Sequence, residues 1–320
     1  MKLDNKKILI TGGAGFIGSH IADSLLEENI SQLIIFDNLS RGTNANISHL
    51  KKNKKVKFIK GDIRDQKLVN DLTKDADYIF HQAAIRLTKC AEDPRLCNEV
   101  MVDGTFNILE AAVRNKIKKI IMASSASVYG EPDYIPIDEK HPYNNTTAYG
   151  AAKIANEYMA IAFHNMYKLP IILFRYFNAY GPRMDILGAY TEVIIKWLER
   201  IDNNQSPIIH GDGKQALDFV FVEDIARANI LALKSNVEFG IYNVGTGKTT
   251  SLKTLASTLL RAAKSNLKPV FIADVKRPYV QKRQADIKNA KEDLGFAASV
   301  ALENGLKKLI DWRNKILKKK

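Results

Sequence analysis

Cysteine is nearly absent from this chain of 320 residues: there are two, Cys90 and Cys97. Two are too few for a disulfide-stapled scaffold, and their spacing fits neither a zinc knuckle nor a redox CxxC, so reduced thiols are expected rather than a bridge. Long apolar runs are missing too, with nothing near the roughly 18 residues of a membrane-spanning helix. The opening MKLDNKKILITGGAGFIG imitates a basic region followed by an apolar stretch, but Asp4 and the closely set glycines make a poor signal peptide. A cytoplasmic enzyme with no membrane insertion is expected. Acidic residues are the minority charge, 35 against 48 Lys and Arg, for a formal net charge of +13. That balance suits an anionic partner. Nucleic acid is not expected, because the lysines cluster only at KKNKKVK (51–57) and the terminal KKK, without an RNA-recognition signature or interleaved aromatics. The basic, amphipathic tail ENGLKKLIDWRNKILKKK reads as a capping helix rather than a membrane-surface segment.

What is present is an apolar content of 46%, enough for a substantial core in one large domain or two lobes. Short β-branched segments alternate with helical ones: KKILIT then 16–28, QLIIFD, VKFIKGD then 66–74, YIFHQAA then 101–115, KIIMASS then 149–167, and PIILFRYFN. This rhythm predicts an α/β fold, a Rossmann-type doubly wound parallel sheet with a smaller C-terminal lobe. From about residue 179 the pattern becomes irregular, whereas FVFVEDIARANILAL and IYNVG are apolar enough to return to the main sheet. The expected division is 1–178, with 214–245 returning to it, against 179–213 and 246–320.

Directly after the first strand, TGGAGFIGSH spaces Gly12, Gly15 and Gly18 as GxxGxxG and opens a helix. Glycines there permit a tight turn and let backbone N–H groups approach a pyrophosphate at the helix N-terminus. Asp37 closes the second strand, where an acid accepts adenosine ribose hydroxyls and repels a 2′-phosphate. NAD is therefore the expected cofactor over NADP, with Arg41 the nearby charge that favours the other choice. In GDIRD, Asp62 and Ile63 are placed to flank the adenine. VGTGKTT (244–250) imitates a triphosphate-binding loop, but the first glycine of GxxxxGK[ST] falls on Tyr242, so it reads as a strand-to-helix turn.

AYGAAK (148–153) sets Tyr149 and Lys153 four residues apart, on one face of a helix. Lowering a phenol from about 10 to near 7 takes about 4 kcal/mol, more than one exposed lysine supplies. A cationic nicotinamide ring beside the phenol would add the second charge.

Together TGGAGFIGSH, DNLSRG, GDIRD, HQAA, SSASVYG, YGAAK, RYFNAYGPR and YNVGTG resemble the extended short-chain dehydrogenase/reductase family, nearest its nucleotide-sugar 4-epimerases, from about residue 6 to 312. The resemblance implies Tyr149 as catalytic base, Lys153 on the nicotinamide ribose, and Ser125 steadying the proton of the sugar hydroxyl. It implies NAD contacts from Gly12, Gly15, Phe16, Ile17, Gly18, Asp37, Asn38, Asp62, Ile63, Gln82, Ala83, Ala84, Ser124, Tyr149 and Lys153. Substrate contacts are implied for Arg86, Ser125, Ser127, Tyr149, Asn178, Val193, Arg277 and Arg283. The implied reaction moves hydride from sugar C4 to NAD⁺ and returns it to the other face of a 4-keto intermediate, most simply on a UDP-hexose.

Relatives that dehydrate across C5 and C6 carry an Asp-Glu pair where this chain has Ala126 and Ser127, and decarboxylating relatives place a glutamate at the Ser127 position. C4 epimerisation is thus the leading assignment, a 4-keto reductase the next, and a non-catalytic NAD-sensing protein the reading from another class. Two departures stand out: Met101 where the family usually has asparagine, and Leu217 where many members carry a diphosphate-binding arginine. A homodimer is implied, through a four-helix bundle of helices near 92–115 and 149–167.

Overall fold

The structure is a computed structural model that describes residues 3–186, 193–273 and 280–318. The first half runs β1 (Lys7–Thr11), α1 (Phe16–Leu26), β2 (Gln32–Asp37), α2 (Asn44–Ile47), β3 (Val56–Lys60), α3 (Gln66–Thr73), β4 (Tyr78–His81), α4 (Leu87–Glu92), α5 (Pro94–Asn98), α6 (Gly104–Arg114), β5 (Lys119–Ser125), α7 (Ala148–Tyr167) and β6 (Ile171–Tyr176). The second half is broken into shorter pieces. These are β7 (Asn178–Tyr180), α8 (Val193–Asp202), β8 (Ile208–His210), β9 (Ala216–Leu217), β10 (Phe219–Phe221), α9 (Val222–Lys234), β11 (Phe239–Val244), β12 (Thr250–Ser251), α10 (Leu252–Ala262), β13 (Val270–Ile272), β14 (Lys282–Arg283), α11 (Lys288–Leu294) and α12 (Leu302–Leu317).

Seven parallel strands form the main sheet in the order β11-β6-β5-β4-β1-β2-β3. The direction of winding reverses between β1 and β4, which opens a crevice at their C-terminal ends. Strand register brings Thr11 level with Phe36 on one side and His81 on the other, so these three residues share the crevice floor. Period-two alternation divides the core: Ile8 and Ile10 of β1 join the layer under α1 and α9, while Leu9 joins the layer under α6 and α7. The outermost strand, β3, carries exposed Lys57 and Lys60, charges that discourage edge pairing with another chain. A third core around Trp197, Leu198, Leu255, Leu259, Leu306 and Leu309 holds α8, α10 and α12 together.

Two expectations need correction. Of the apolar segments expected to return to the main sheet, α9 packs on it and β11 joins it, but β10 pairs instead with β7 in a separate two-stranded ribbon. The place beside β6 is taken by β11, and apolar content cannot say which of two open edges a strand will choose. The cysteines are also not free: Cys90 and Cys97 form a disulfide, with their Cα atoms 4.8 Å apart. In one continuous helix, seven residues would span about 10 Å. Here the helix breaks at Asp93, whose side chain caps α5 through the Leu96 N–H at 3.0 Å, and the break folds the two positions together.

Candidate active site

Gly12 follows β1 with φ +68°, and a Cβ there would lie 2.7 Å from the Ala83 nitrogen. At Gly18 a Cβ would lie 2.3 Å from the Gly12 carbonyl oxygen. The turn closes only because both side chains are missing. Gly15 is the N-cap of α1 and contributes no side-chain cap. The N–H groups of Phe16, Ile17 and Gly18 therefore have no partner inside the helix and face the crevice as a seat for an anion.

Asp37 ends β2 and is buried, accepting from Ala14 N at 3.0 Å and from Leu39 N at 2.8 Å. Burial raises its pKa, against the pull of those two bonds. A Cβ on Gly42 would lie 2.8 Å from both carboxylate oxygens, so the 38–42 loop folds tightly over this acid. Asn38 donates to Asp62 at 2.9 Å. Hydrogen bonds from Arg64 hold the Asp62 carboxyl near 2, and Arg64 reaches on to Glu99 at 3.1 Å. Ile63 is buried beside Gly104. Gln82, Ala83 and Ala84 follow β4 on the other side of the turn, where Ala83 N donates to Thr11 Oγ1 at 3.4 Å and the Gln82 side chain meets Asn229 and Tyr176. Of the positions implied for the cofactor, Gly12, Gly18, Asp37, Gln82 and Ala83 thus meet around the turn after β1, whose narrowness at Gly12 and Gly18 suits a backbone-held anion.

His81 lies beneath it. Thr105 Oγ1 donates to the Met101 carbonyl at 2.6 Å, so it accepts from His81 Nε2 at 2.9 Å, which leaves Nδ1 to accept from Thr11 Oγ1 at 2.7 Å. Burial, with Lys153 adding to it, lowers the His81 pKa to about 3. The ring is a neutral strut with a fixed tautomer, outside the proton chemistry.

Ser124 and Ser125 end β5, one strand further along. Thr147 caps α7, accepting from Gly150 N at 3.1 Å, and this fixes where Tyr149 and Lys153 begin their helical face. Ser125 is the neighbouring hydroxyl that favours the ionised Tyr149 phenol. Ser125 Oγ also lies 2.7 Å from Ser127 Oγ and accepts from Ser127 N at 3.1 Å. Burial raises the Tyr149 pKa, while Ser125 and the charge of Arg41 pull it down. Lys153 Nζ donates to the Ala123 carbonyl at 2.6 Å and lies 5.9 Å from the centre of the Tyr149 ring. Burial lowers its pKa to about 8, opposed by Glu157.

Glu157 was not singled out by sequence reasoning, although continuing the Tyr-Lys spacing by four residues reaches it. It is fully buried, accepting from Ser124 Oγ at 2.5 Å, Arg175 Nε at 2.9 Å, Arg175 Nη2 at 2.6 Å and Tyr143 OH at 2.8 Å. Arg175 on β6 donates further to Tyr129 OH at 2.8 Å, and Tyr129 donates to Asn243 on β11 at 2.6 Å. This carboxylate ties α7 directly to β5 and β6 and, through Arg175 and Tyr129, to β11. Arg41, considered above only for cofactor choice, is the other missed residue, through its effect on the phenol.

The implied substrate residues are less gathered. Arg86 is ion-paired with Asp185. Asn178 donates to the Asp218 carbonyl from both its backbone nitrogen, at 3.0 Å, and its side chain, at 3.1 Å. Val193 begins α8 and packs on the third core. Arg283 donates to the Gly130 carbonyl at 3.0 Å. Arg277 lies outside the described residues. At the two departures, the Met101 sulfur accepts from Ile85 N at 3.4 Å, and Leu217 packs on the third core. The VGTGKTT turn does bind an anion, but an internal one: Asp218 accepts from Thr246 N at 2.8 Å, Thr246 Oγ1 at 2.6 Å and Gly247 N at 2.9 Å. Among the described residues no cluster of three or more His, Cys, Asp or Glu side chains could hold a metal.

The chain is 41% identical over 312 residues to a putative UDP-glucose 4-epimerase of Methanocaldococcus jannaschii, covering 95% of this chain and 97% of the relative. A UDP-N-acetylglucosamine 4-epimerase from Methanobrevibacter ruminantium, solved with UDP-N-acetylmuramic acid, superposes with a TM-score of 0.92 at 32% identity, over 98% of this chain and 99% of the other. The UDP-glucuronic acid 4-epimerase of Bacillus cereus, solved with UDP-glucuronic acid and NAD, gives 0.88 at 28% identity, over 97% and 99%. The pattern that defines the NAD dependent epimerase/dehydratase family matches residues 8–245. With the glycine turn, the acid that ends β2 and the Tyr149–Ser125–Lys153 group on that stretch, the chain belongs to the NAD dependent epimerase/dehydratase family.

Proposed function

We propose that this protein interconverts the C4 epimers of a nucleotide-diphosphate sugar, a UDP-hexose, through a transient 4-keto sugar with NAD as resident cofactor. The observation that carries this reading is the buried Tyr149 phenol with Ser125 acting on it and Lys153 Nζ 5.9 Å from its ring, beside the glycine turn that suits a dinucleotide. NAD, when bound, supplies the acceptor and later the donor of the C4 hydrogen with its electrons. Gly12, Gly15, Phe16, Ile17 and Gly18 hold its pyrophosphate, Asp37 and Asn38 the adenosine ribose, Asp62 and Ile63 the adenine, and Gln82, Ala83, Ala84, Ser124 and Lys153 the nicotinamide half.

Tyr149 takes the proton of the sugar O4 as the 4-keto sugar forms, and gives it back when the hydroxyl is restored. Ser125 shares a hydrogen bond with both oxygens and so fixes the line of transfer. Because burial favours the neutral phenol, the cations Lys153 and Arg41 are needed to bring the phenolate within reach. Ala126 and Ser127 provide no carboxylate for dehydration or decarboxylation. Arg86, Ser127, Asn178, Val193, Arg277 and Arg283 are the further substrate contacts, three of them from residues 1–178 and three from residues 179–213 and 246–320, while residues 1–178 with 214–245 carry the cofactor.

A homodimer is part of the proposal. Phe106 of α6 and Tyr158, Met166 and Tyr167 of α7 are exposed, at 45%, 57%, 68% and 50%, on helices that a second copy would cover as a four-helix bundle. Sedimentation at micromolar concentration reads this directly, and a monomer there refutes it. A cytoplasmic setting completes the reading; among the described residues no helix is long and apolar enough to cross a membrane.

Turnover of a nucleotide-sugar panel followed by NMR tests the function. The C4 epimer should accumulate without net consumption of NADH, and Tyr149→Phe should lower the rate at least about a hundredfold while NAD affinity stays within about threefold. Stoichiometric NADH consumption would identify a reductase, and Tyr149→Phe retaining activity would end the proposed mechanism.

A further inference from the structure

Arg283 differs from the other arginines with buried nitrogens. Arg175 is paired with Glu157 at 2.6 Å, Arg183 with Asp23 at 2.6 Å, and Arg313 with Asp202. Arg283 has its Nη2 on the Gly130 carbonyl and its Nε buried without any hydrogen-bond partner. Among the described residues it makes no ion pair; Glu131 acts on it only at longer range, and burial outweighs that influence and lowers its pKa. A mostly buried guanidinium with an empty donor and no carboxylate is costly in the free protein, so its natural complement is an oxyanion brought in by a ligand.

The position of Gly130 says which oxyanion. Gly130 N donates to the Ser127 carbonyl at 3.2 Å, Ser127 Oγ lies 2.7 Å from Ser125 Oγ, and Ser125 is the hydroxyl that acts on the Tyr149 phenol. Arg283 therefore stands a few contacts from the base that addresses O4. On a hexopyranose ring the substituent on C5 is the immediate neighbour of C4, whereas the diphosphate hangs from C1 across the ring. On the same sheet, Leu217 is level with Arg283 in parallel register, so the apolar strand next to it supplies no competing charge.

Resting on the epimerase reading above, we propose that the Arg283 guanidinium receives a carboxylate carried by the sugar, so that the preferred substrates are nucleotide-linked uronic or other carboxyl-bearing hexoses. The test uses the NAD-loaded enzyme and measures, by titration calorimetry, the binding of UDP-glucuronate, UDP-glucose and UDP to the parent, Arg283→Lys and Arg283→Ser. The parent should prefer the uronate over the neutral sugar by about tenfold or more, Arg283→Ser should lose that preference by a similar factor, and Arg283→Lys should keep part of it. Equal weakening of all three ligands in Arg283→Ser would place the diphosphate on Arg283 and overturn the proposal, as would an unchanged preference. Because binding is read apart from turnover, a carboxylate preference without epimerisation would support this assignment while refuting the activity.

Discussion

Burial at the crevice floor holds the Tyr149 phenol above its ordinary pKa, and burial also lowers that of Lys153, the cation beside it, to about 8. The two shifts set limits on the working pH. Lys153 helps only while protonated, so activity should fall as pH rises through about 8. Its contribution to stability runs the other way: between about 8 folded and 10.5 unfolded, the unfolded chain binds more protons, so this group's share of the stability rises with pH. Glu157 raises the Lys153 pKa. Glu157→Gln should therefore move the alkaline limb of the kcat/KM profile to lower pH, a shift that simple loosening of the fold would not produce. The same substitution leaves Arg175 buried without its counter-charge, at a cost of about 3–5 kcal/mol, which thermal unfolding will register. An unmoved limb would show that Glu157 acts on packing alone.

Among the elements, the turn between β1 and α1 is the one whose geometry leaves least freedom. A methyl group on Gly18 would meet the Gly12 carbonyl at 2.3 Å and the Gly13 Cα at 2.9 Å, backbone atoms that cannot rotate away. Gly18→Ala should lower NAD affinity at least about tenfold, measured by titration of the purified protein, and unchanged affinity would remove the turn from the cofactor site. This element was legible in the sequence because everything that defines it is local: a strand, a glycine spacing, a helix and an acid at the end of the next strand. Helix α7 was legible for the same reason, as its alanines and its Tyr149–Lys153 spacing of one turn are local. What stayed hidden depends on pairing at a distance. No local pattern says that β10 will choose β7, that a helix break at Asp93 will bring Cys90 to Cys97, or that the phosphate-loop look of VGTGKTT serves the buried Asp218, 26 residues before its Val244. Arg175 and Glu157, on different elements, become one group only once β5, β6 and α7 are packed.

At the scale of the whole molecule, the reversal of winding at β1 and β4 places the glycine turn, Asp37 and the ends of β4 and β5 on one rim, and α7 brings Tyr149 beside Ser125 at the end of β5. The third core holds α8, α10 and α12 together, and β14 sets Arg283 on the Gly130 carbonyl, just past the end of β5. This arrangement implies a reaction that begins and ends inside one closed site, with the C4 hydrogen leaving and returning without exchange and the cofactor unchanged overall. The most direct test is turnover of a nucleotide sugar carrying deuterium at C4, with the product examined by NMR. The account predicts the C4 epimer with the deuterium retained at C4 and no net change in NADH; loss of the label to solvent, or a product that leaves as the oxidised or reduced sugar, would contradict it.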